Sequence, residues 1–355
     1  PAQVTGGVDL PARGDCPRGL AVVSSDFQSS EIALLTPTGD VKSPAFMSSA
    51  STTASGLAAP FSGDLGVATA RSRPGELVIV DRFGTNVLSF VDTQSGAVRA
   101  QLPVGTGFEA NPQDYLEVSE HEAFVPRLGQ NRSPGREPFD AGSDLLIIDP
   151  RVPAITGSVP MPQRRGYVPN PAGVSQLGGD VLVTLHHAGA DYSGMDESEL
   201  VAASIEEPRV RYRLPLQGLK DCGRAELSPS RAVLAVACSA YVDRLGAVAE
   251  PETSGLLLLD ATTDPPQELR RFLATELVGE PMQGSIEFVT ERLALFKTQT
   301  ALGSEQDNQL YSLDLETGEA TLLASAARNK NGLGFGIAFG GMSCRTGCGD
   351  PCLVA

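Results

Sequence analysis

Leu77-Val-Ile-Val-Asp81 and, after a short turn, Val87-Leu-Ser-Phe-Val-Asp92-Thr-Gln-Ser-Gly96-Ala-Val98 are two apolar runs of strand length. They are rich in Val, Ile, Leu and Phe, bounded by Gly, Asn, Asp and Ser, and too short for helices. Asp92-x-x-x-Gly96 is turn chemistry: Asp bonds its own backbone ahead, and Gly takes the positive φ that closes the turn. The pattern recurs in Leu145-Leu-Ile-Ile-Asp149, Leu256-Leu-Leu-Leu-Asp260 and Leu310-Tyr-Ser-Leu-Asp314-Leu-Glu-Thr-Gly318. Weaker copies are Ile32-Ala-Leu-Leu-Thr36-Pro-Thr-Gly39 and a run ending near Ser204. The residues that follow these runs, 36, 92, 149, 204, 260 and 314, are spaced 54 to 57 residues apart.

A period of about 56 residues points to a solenoid, propeller or array rather than to separate domains. One unit can be divided into strands at 114–119, 123–126, 144–148 and 154–161, and four short strands are the content of one propeller blade. Residues 197–205 have helical propensity, but their place in the period predicts a strand. The expectation is therefore an all-β β-propeller, a single domain over 1–355.

Phe90-Val91-Asp92-Thr-Gln-Ser-Gly96-Ala-Val-Arg-Ala-Gln-Leu-Pro103-Val104-Gly105 resembles the blade motif of YncE-like seven-bladed β-propellers, and Leu313-Asp314-Leu-Glu-Thr-Gly318 matches a shorter part. The resemblance implies seven blades, the last built from both chain termini. Val4-Thr-Gly-Gly-Val8-Asp-Leu-Pro11, Gly336-Ile-Ala-Phe339 and Cys352-Leu-Val-Ala355 would supply its strands; six blades plus a terminal extension is the alternative. Because the chain stops at Ala355 inside an apolar run, either the native chain is longer or another subunit completes the last blade by strand addition. The resemblance carries no single function with it.

Acidic residues outnumber basic ones by 43 to 27, for a net charge of −16. Such a surface repels phosphate backbones, so nucleic acid is not expected as a partner. No run of 18 apolar residues appears, so no transmembrane segment is expected. The cysteines are Cys16, Cys222, Cys238, Cys344, Cys348 and Cys352. Their even number and turn-rich surroundings favour disulfides and an extracytoplasmic location: periplasmic, cell surface or secreted. Cys222 and Cys238 flank two apolar runs and are placed to face each other across neighbouring strands. A metal site is the competing reading of the C-terminal cluster, but its three-residue gaps do not suit zinc. No signal peptide is visible at Pro1, so an export signal would already have been removed.

The long connections 127–143, 186–198, 239–254 and 298–308, with the Ser-rich 43–63, are expected on one face of the disc, where binding loops on a rigid scaffold reside. His186 and His187 open an acidic loop, yet adjacent strand residues point to opposite faces and rarely serve one ion. Asn111, Asp114, Asn170, Arg224 and Glu287 precede or begin inner strands and are candidates for the mouth of a central channel. Hydrogen bonding of turn backbone is the plainer reading of Asn and Asp there. No metal ligand set and no other cofactor is assigned, although a divalent ion such as calcium fits a propeller channel. No Gly-x-Ser-x-Gly elbow or phosphate loop occurs, and no catalytic residues are assigned. Asn131-Arg-Ser133 is a glycosylation acceptor only in a eukaryotic secretory context. Three functional readings follow. One is a non-enzymatic scaffold binding a protein or cell-surface partner. The second is a metal-dependent, lactonase-like hydrolase with the ion in the channel. The third is an assembly subunit joined through its incomplete last blade.

Overall fold

In the computed structural model each repeat mark falls at the end of the third strand of an antiparallel sheet, or on the residue just after it. Those strands are Ser30–Leu35, Val87–Asp92, Asp144–Asp149, Glu199–Ser204, Ser254–Asp260 and Asn308–Asp314. The structure describes residues 20–326, apart from 26–27, 37–38, 52–55, 69–74, 192, 244–246 and 299–307.

Sheet 1 comprises Leu20–Ser25, Ser30–Leu35 and Val41–Ser48. Sheet 2 is Leu65–Val67, Glu76–Asp81, Val87–Asp92 and Val98–Pro103; sheet 3 is Leu116–Ser119, Glu122–Pro126, Asp144–Asp149 and Ala154–Pro160. Sheet 4 is Pro171–Leu177, Asp180–Leu185, Glu199–Ser204 and Val210–Pro215. Sheet 5 is Cys222–Leu227, Val233–Ser239, Ser254–Asp260 and Gln267–Leu273; sheet 6 is Met282–Phe288, Leu293–Thr298, Asn308–Asp314 and Ala320–Ala326. The strands run up and down in chain order, each pairing with the next. The one described α-helix is the single turn Ala274–Leu277.

The turn chemistry works as the sequence predicts. Asp92 Oδ1 accepts the backbone N–H of Gln94 (3.1 Å) and Ser95 (2.7 Å), and Gly96 closes the turn at φ 72°. Asp314 repeats the arrangement with Glu316 and Thr317, and Gly318 has φ 81°. Residues 197–205 are strand, with Glu199–Ser204 at their centre.

Apolar layers lie between sheets rather than within them. In the unit formed by sheets 1–4, Ile32 and Met47 pack with Leu65, Ile79 and Val91; Val78 and Phe90 pack with Val125 and Ile148; Phe124 and Leu145 pack with Val181 and Val201. In the unit formed by sheets 5 and 6, Ala235 and Leu256 pack with Ile286, Phe296 and Leu313. Each fully buried aliphatic or aromatic side chain contributes about 1.5–3 kcal/mol, a gain open to a sheet only where a neighbour covers it.

Two expectations are corrected. The described chain forms six sheets, not seven, and the sixth already has four strands from this chain. The segments expected to build a seventh blade, 4–11 and 336–355, lie outside the described residues, as do Cys16, Cys344, Cys348 and Cys352. The sheet with three described strands is the first, so the premise of an incomplete last blade is not met among the described residues. Residues 43–63 are also not all connection, because Val41–Ser48 is the outer strand of sheet 1.

Candidate functional site: the loop-bearing edge and the innermost strands

In every four-stranded sheet the connection between strands two and three leaves the same edge as the connection leading into strand one. That edge carries 127–143, 186–198 and 240–253, while the opposite edge carries short turns such as 120–121, 178–179 and 228–232. Residues 299–307, expected as a fourth long loop, lie almost wholly outside the described residues.

The mouth of the 127–143 loop is closed by a buried ion pair. Arg127 ends the second strand of sheet 3, Asp144 begins the third, and neither is more than 3% exposed. Arg127 Nε donates to Asp144 Oδ1 and Nη2 to Oδ2, both at 2.7 Å, a bidentate pairing. Nη1 donates to Val104 O (3.0 Å) and Thr106 Oγ1 (2.7 Å), Nη2 also to Phe139 O (2.6 Å), and Phe108 stacks on the guanidinium at 5.0 Å. Burial pushes the Asp144 carboxyl above its ordinary value, and the bonds and charge of Arg127 pull against that rise.

The loop is braced along its length. Asp140 accepts backbone N–H groups from Gly135, Arg136 and Glu137 at 2.8–3.1 Å, which hold its carboxyl below the usual range. Gly142 lies against Phe108, where an added Cβ would sit 2.4 Å from the ring. Thr106 Oγ1 donates to Phe139 O at 3.0 Å. On the neighbouring loop of sheet 2, Glu109 Oε1 accepts from Asn86 Nδ2 (2.7 Å) and Gly84 N (3.3 Å). Two aromatic side chains remain exposed on these braced loops, Phe83 at 61% and Phe139 at 36%.

Sheet 4 repeats the closure with other residues. His187 follows its second strand and Glu199 opens its third; His187 Nε2 donates to Glu199 Oε2 at 3.1 Å. Arg213 adds bonds from Nε (3.0 Å) and Nη2 (2.8 Å) to the same carboxylate. Burial alone would raise Glu199, but the His187 and Arg213 bonds outweigh it and hold the carboxyl below its ordinary value. His187 is fully buried, so the pair His186-His187 does not converge on the loop's acidic residues.

Of the channel-mouth candidates, three bond to backbone or turn neighbours. Asn111 N donates to Asn86 Oδ1 (2.7 Å), and Asn111 Oδ1 accepts from Gln113 Nε2 (2.5 Å). Asp114 Oδ1 accepts the N–H of Tyr115 (2.7 Å). Asn170 Nδ2 donates to Leu128 O (2.9 Å), and its Oδ1 accepts Ala188 N (3.1 Å). The other two come together on the innermost strands of sheets 5 and 6. Arg224 Nη2 meets Glu226 Oε2 at 2.6 Å, and both charges act on Glu287, which is 4% exposed. Burial first, and then Glu226, push the Glu287 carboxyl up to about 8, against the pull of Arg224. Nearby, Lys297 is pushed down to about 8 by burial. No group of three or more His, Cys, Asp and Glu gathers as a metal set among the described residues. Cys222 and Cys238, register partners on the first two strands of sheet 5, form a disulfide.

The sequence missed Arg127, Asp144, Glu199 and Glu226 as site residues. A usable signal was present for the first three: a basic residue just after strand two and an acidic residue opening strand three, at the same phase of two repeats.

No protein-family model and no curated protein matches the chain. Among solved structures, it is similar to the β-propeller domain of Cps50 (Swd1) from Myceliophteria thermophila, at TM-score 0.56 and 12% identity over 87% of this chain and 84% of that one. A protein of unknown function from Bacteroides caccae gives TM-score 0.53 and 13% identity over 87% and 94%. A hypothetical selenium-binding protein from Sulfolobus tokodaii gives 0.56 and 10% over 85% and 74%. At such identities the likeness concerns the fold alone: the chain is an all-β propeller, with six blades described.

Proposed function

We propose that this propeller is a non-enzymatic binding scaffold that engages a protein or cell-surface partner in an extracytoplasmic compartment. The observation that carries the reading is the Arg127–Asp144 closure, which holds the 127–143 loop rigid while leaving Phe139 exposed. Aromatic side chains presented on preorganised loops give contact area at little entropic cost. Phe83, on the adjacent loop of sheet 2, extends the same edge. The Cys222–Cys238 disulfide supports an oxidising compartment.

The test is capture of a partner from the surface or extracytoplasmic fraction of source cells on immobilised protein. The expected outcome is one partner retained by the wild type and lost with Phe83→Ser/Phe139→Ser. It should be kept by Val152→Ser, which changes an exposed apolar residue (66%) on the opposite edge of sheet 3. Equal capture by the two variants would reject the loop-bearing edge as the binding surface.

A further inference from the structure

The innermost strands of sheets 5 and 6 run in the same direction, because each is the first strand of the same up-and-down unit. They are pressed together at two glycines: a Cβ added to Gly223 would lie 1.6 Å from Gly284 O. Glu226 is three residues beyond Gly223, and Glu287 three residues beyond Gly284. Close approach at the glycines therefore brings the two carboxyl groups alongside each other.

The surroundings do not neutralise both. Arg224 is ion-paired with Glu226 at 2.6 Å. Glu287 Oε2 is buried and accepts no hydrogen bond. Its register partner on the next strand is Leu295, and the other buried charge on that strand is Lys297, two residues farther along. Packed across from it, Val233–Ser239 carries no charged side chain, and its Cys238 is in the disulfide. Two carboxylates with one paired arginine in a dry setting cannot both remain ionised at small cost.

We propose that Glu226 and Glu287 act as a proton-dependent latch: Glu287 keeps its proton beside the Glu226 carboxylate at neutral pH, and loss of that proton to solvent loosens the two innermost strands from each other. The raised Glu287 value sets the direction and the window. A carboxyl whose folded-state value lies above its unfolded value stabilises the fold in its protonated form. That contribution is complete below about 4.5, shrinks as pH rises, and is lost on passing about 8.

Urea unfolding midpoints measured from pH 4 to 10 test the latch. In the wild type the unfolding constant should rise with pH across this window, by on the order of a hundredfold or more through this pair. Glu287→Gln, which keeps a neutral side chain, should remove that part of the slope. Glu226→Gln should shift the step to lower pH, because it removes the repulsion and frees Arg224 for Glu287. Lys297→Met should leave the step in place. Hydrogen exchange of 222–227 and 282–288, corrected for intrinsic rates, should accelerate above the step in the wild type. An infrared band of a protonated carboxylic acid, present in the wild type at pH 7 and titrating away on this step, reads the proton without any variant. Identical slopes in the wild type and Glu287→Gln would overturn the latch. So would absence of that band at pH 7, or a step abolished by Lys297→Met and unmoved by Glu226→Gln.

Discussion

Two places in this molecule bury charge on adjacent strands, and they resolve the cost in opposite ways. In sheet 3, Arg127 and Asp144 meet in bidentate geometry, and the remaining guanidinium donors find Val104, Thr106 and Phe139. On the innermost strands of sheets 5 and 6, one guanidinium serves two carboxyl groups, and Glu287 Oε2 has no donor. The first arrangement fixes a loop and is expected to be insensitive to pH near neutrality. The second leaves a proton as the missing counter-charge. Buried charge thus acts as an anchor where its hydrogen bonds are complete and as a sensor where they are not.

The sharpest way to break this comparison is to remove one side of the complete pair. Arg127→Met leaves Asp144 buried without its counter-ion and strips the loop carbonyls of their donor. It is expected to cost about 3–5 kcal/mol, measured by denaturant unfolding. Adding Asp144→Leu removes the stranded charge, so the double variant should regain much of the loss. Loop 128–143 should still exchange its amide hydrogens faster than in the wild type, because the bonds to Val104 and Phe139 stay broken. A double variant as unstable as the single one would show that the loop bonds, not the ion pair, dominate.

The other region is sharpened at the glycines that force it together. Gly223→Ala drives a methyl group into Gly284 O, and backbone on both sides must give. Overpacking of this kind costs about 1–3 kcal/mol. Separating the strands should also relieve Glu287, so the alkaline slope of stability should flatten in this variant. A Gly223→Ala protein with wild-type stability and the same slope would mean that the close approach does not set the carboxyl pairing.

The elements legible in the sequence were those fixed by local chemistry. Asp92, Asp314 and their glycines announced turns because an Asx bond and a positive φ need only neighbouring residues. The apolar runs announced strands, and their spacing gave the phase of all six sheets. Blade number was harder to read, because Gly336-Ile-Ala-Phe339 and Val4–Pro11 carry the same apolar pattern whether or not they build another sheet. The site was less legible still. Asp144 lies 17 residues from Arg127 across a loop, and Glu287 lies 61 residues from Glu226 across a blade. Arg224 and Glu287 were chosen for their position at the start of inner strands, and Glu226 was passed over although the repeat phase places it beside Glu287. Both pairs are made by the stacking of sheets, which no short stretch of sequence encodes.

The smallest effect belongs to the solvent-facing turns, where charge is neither anchor nor sensor of the interior. Asp314 accepts the N–H groups of Thr317 (2.8 Å) and Glu316 (2.9 Å) and meets Arg292 at 2.8 Å. The backbone bond from Thr317, with the help of Arg292, holds its carboxyl down at about 2. A carboxyl held below its unfolded value of 3.8 stabilises the fold above that value and loses its contribution as pH falls toward 2. Asp314→Ala should therefore lower the urea midpoint slightly at pH 7, and the gap to the wild type should close as pH falls toward 2. This dependence is opposite in sign to that of Glu287, since one carboxyl is kept charged by donors at the surface and the other is kept neutral by their scarcity inside. If the gap instead persisted unchanged down to pH 2, Asp314 would be acting through turn geometry alone, and the contrast between exposed and buried carboxyls would reduce to packing.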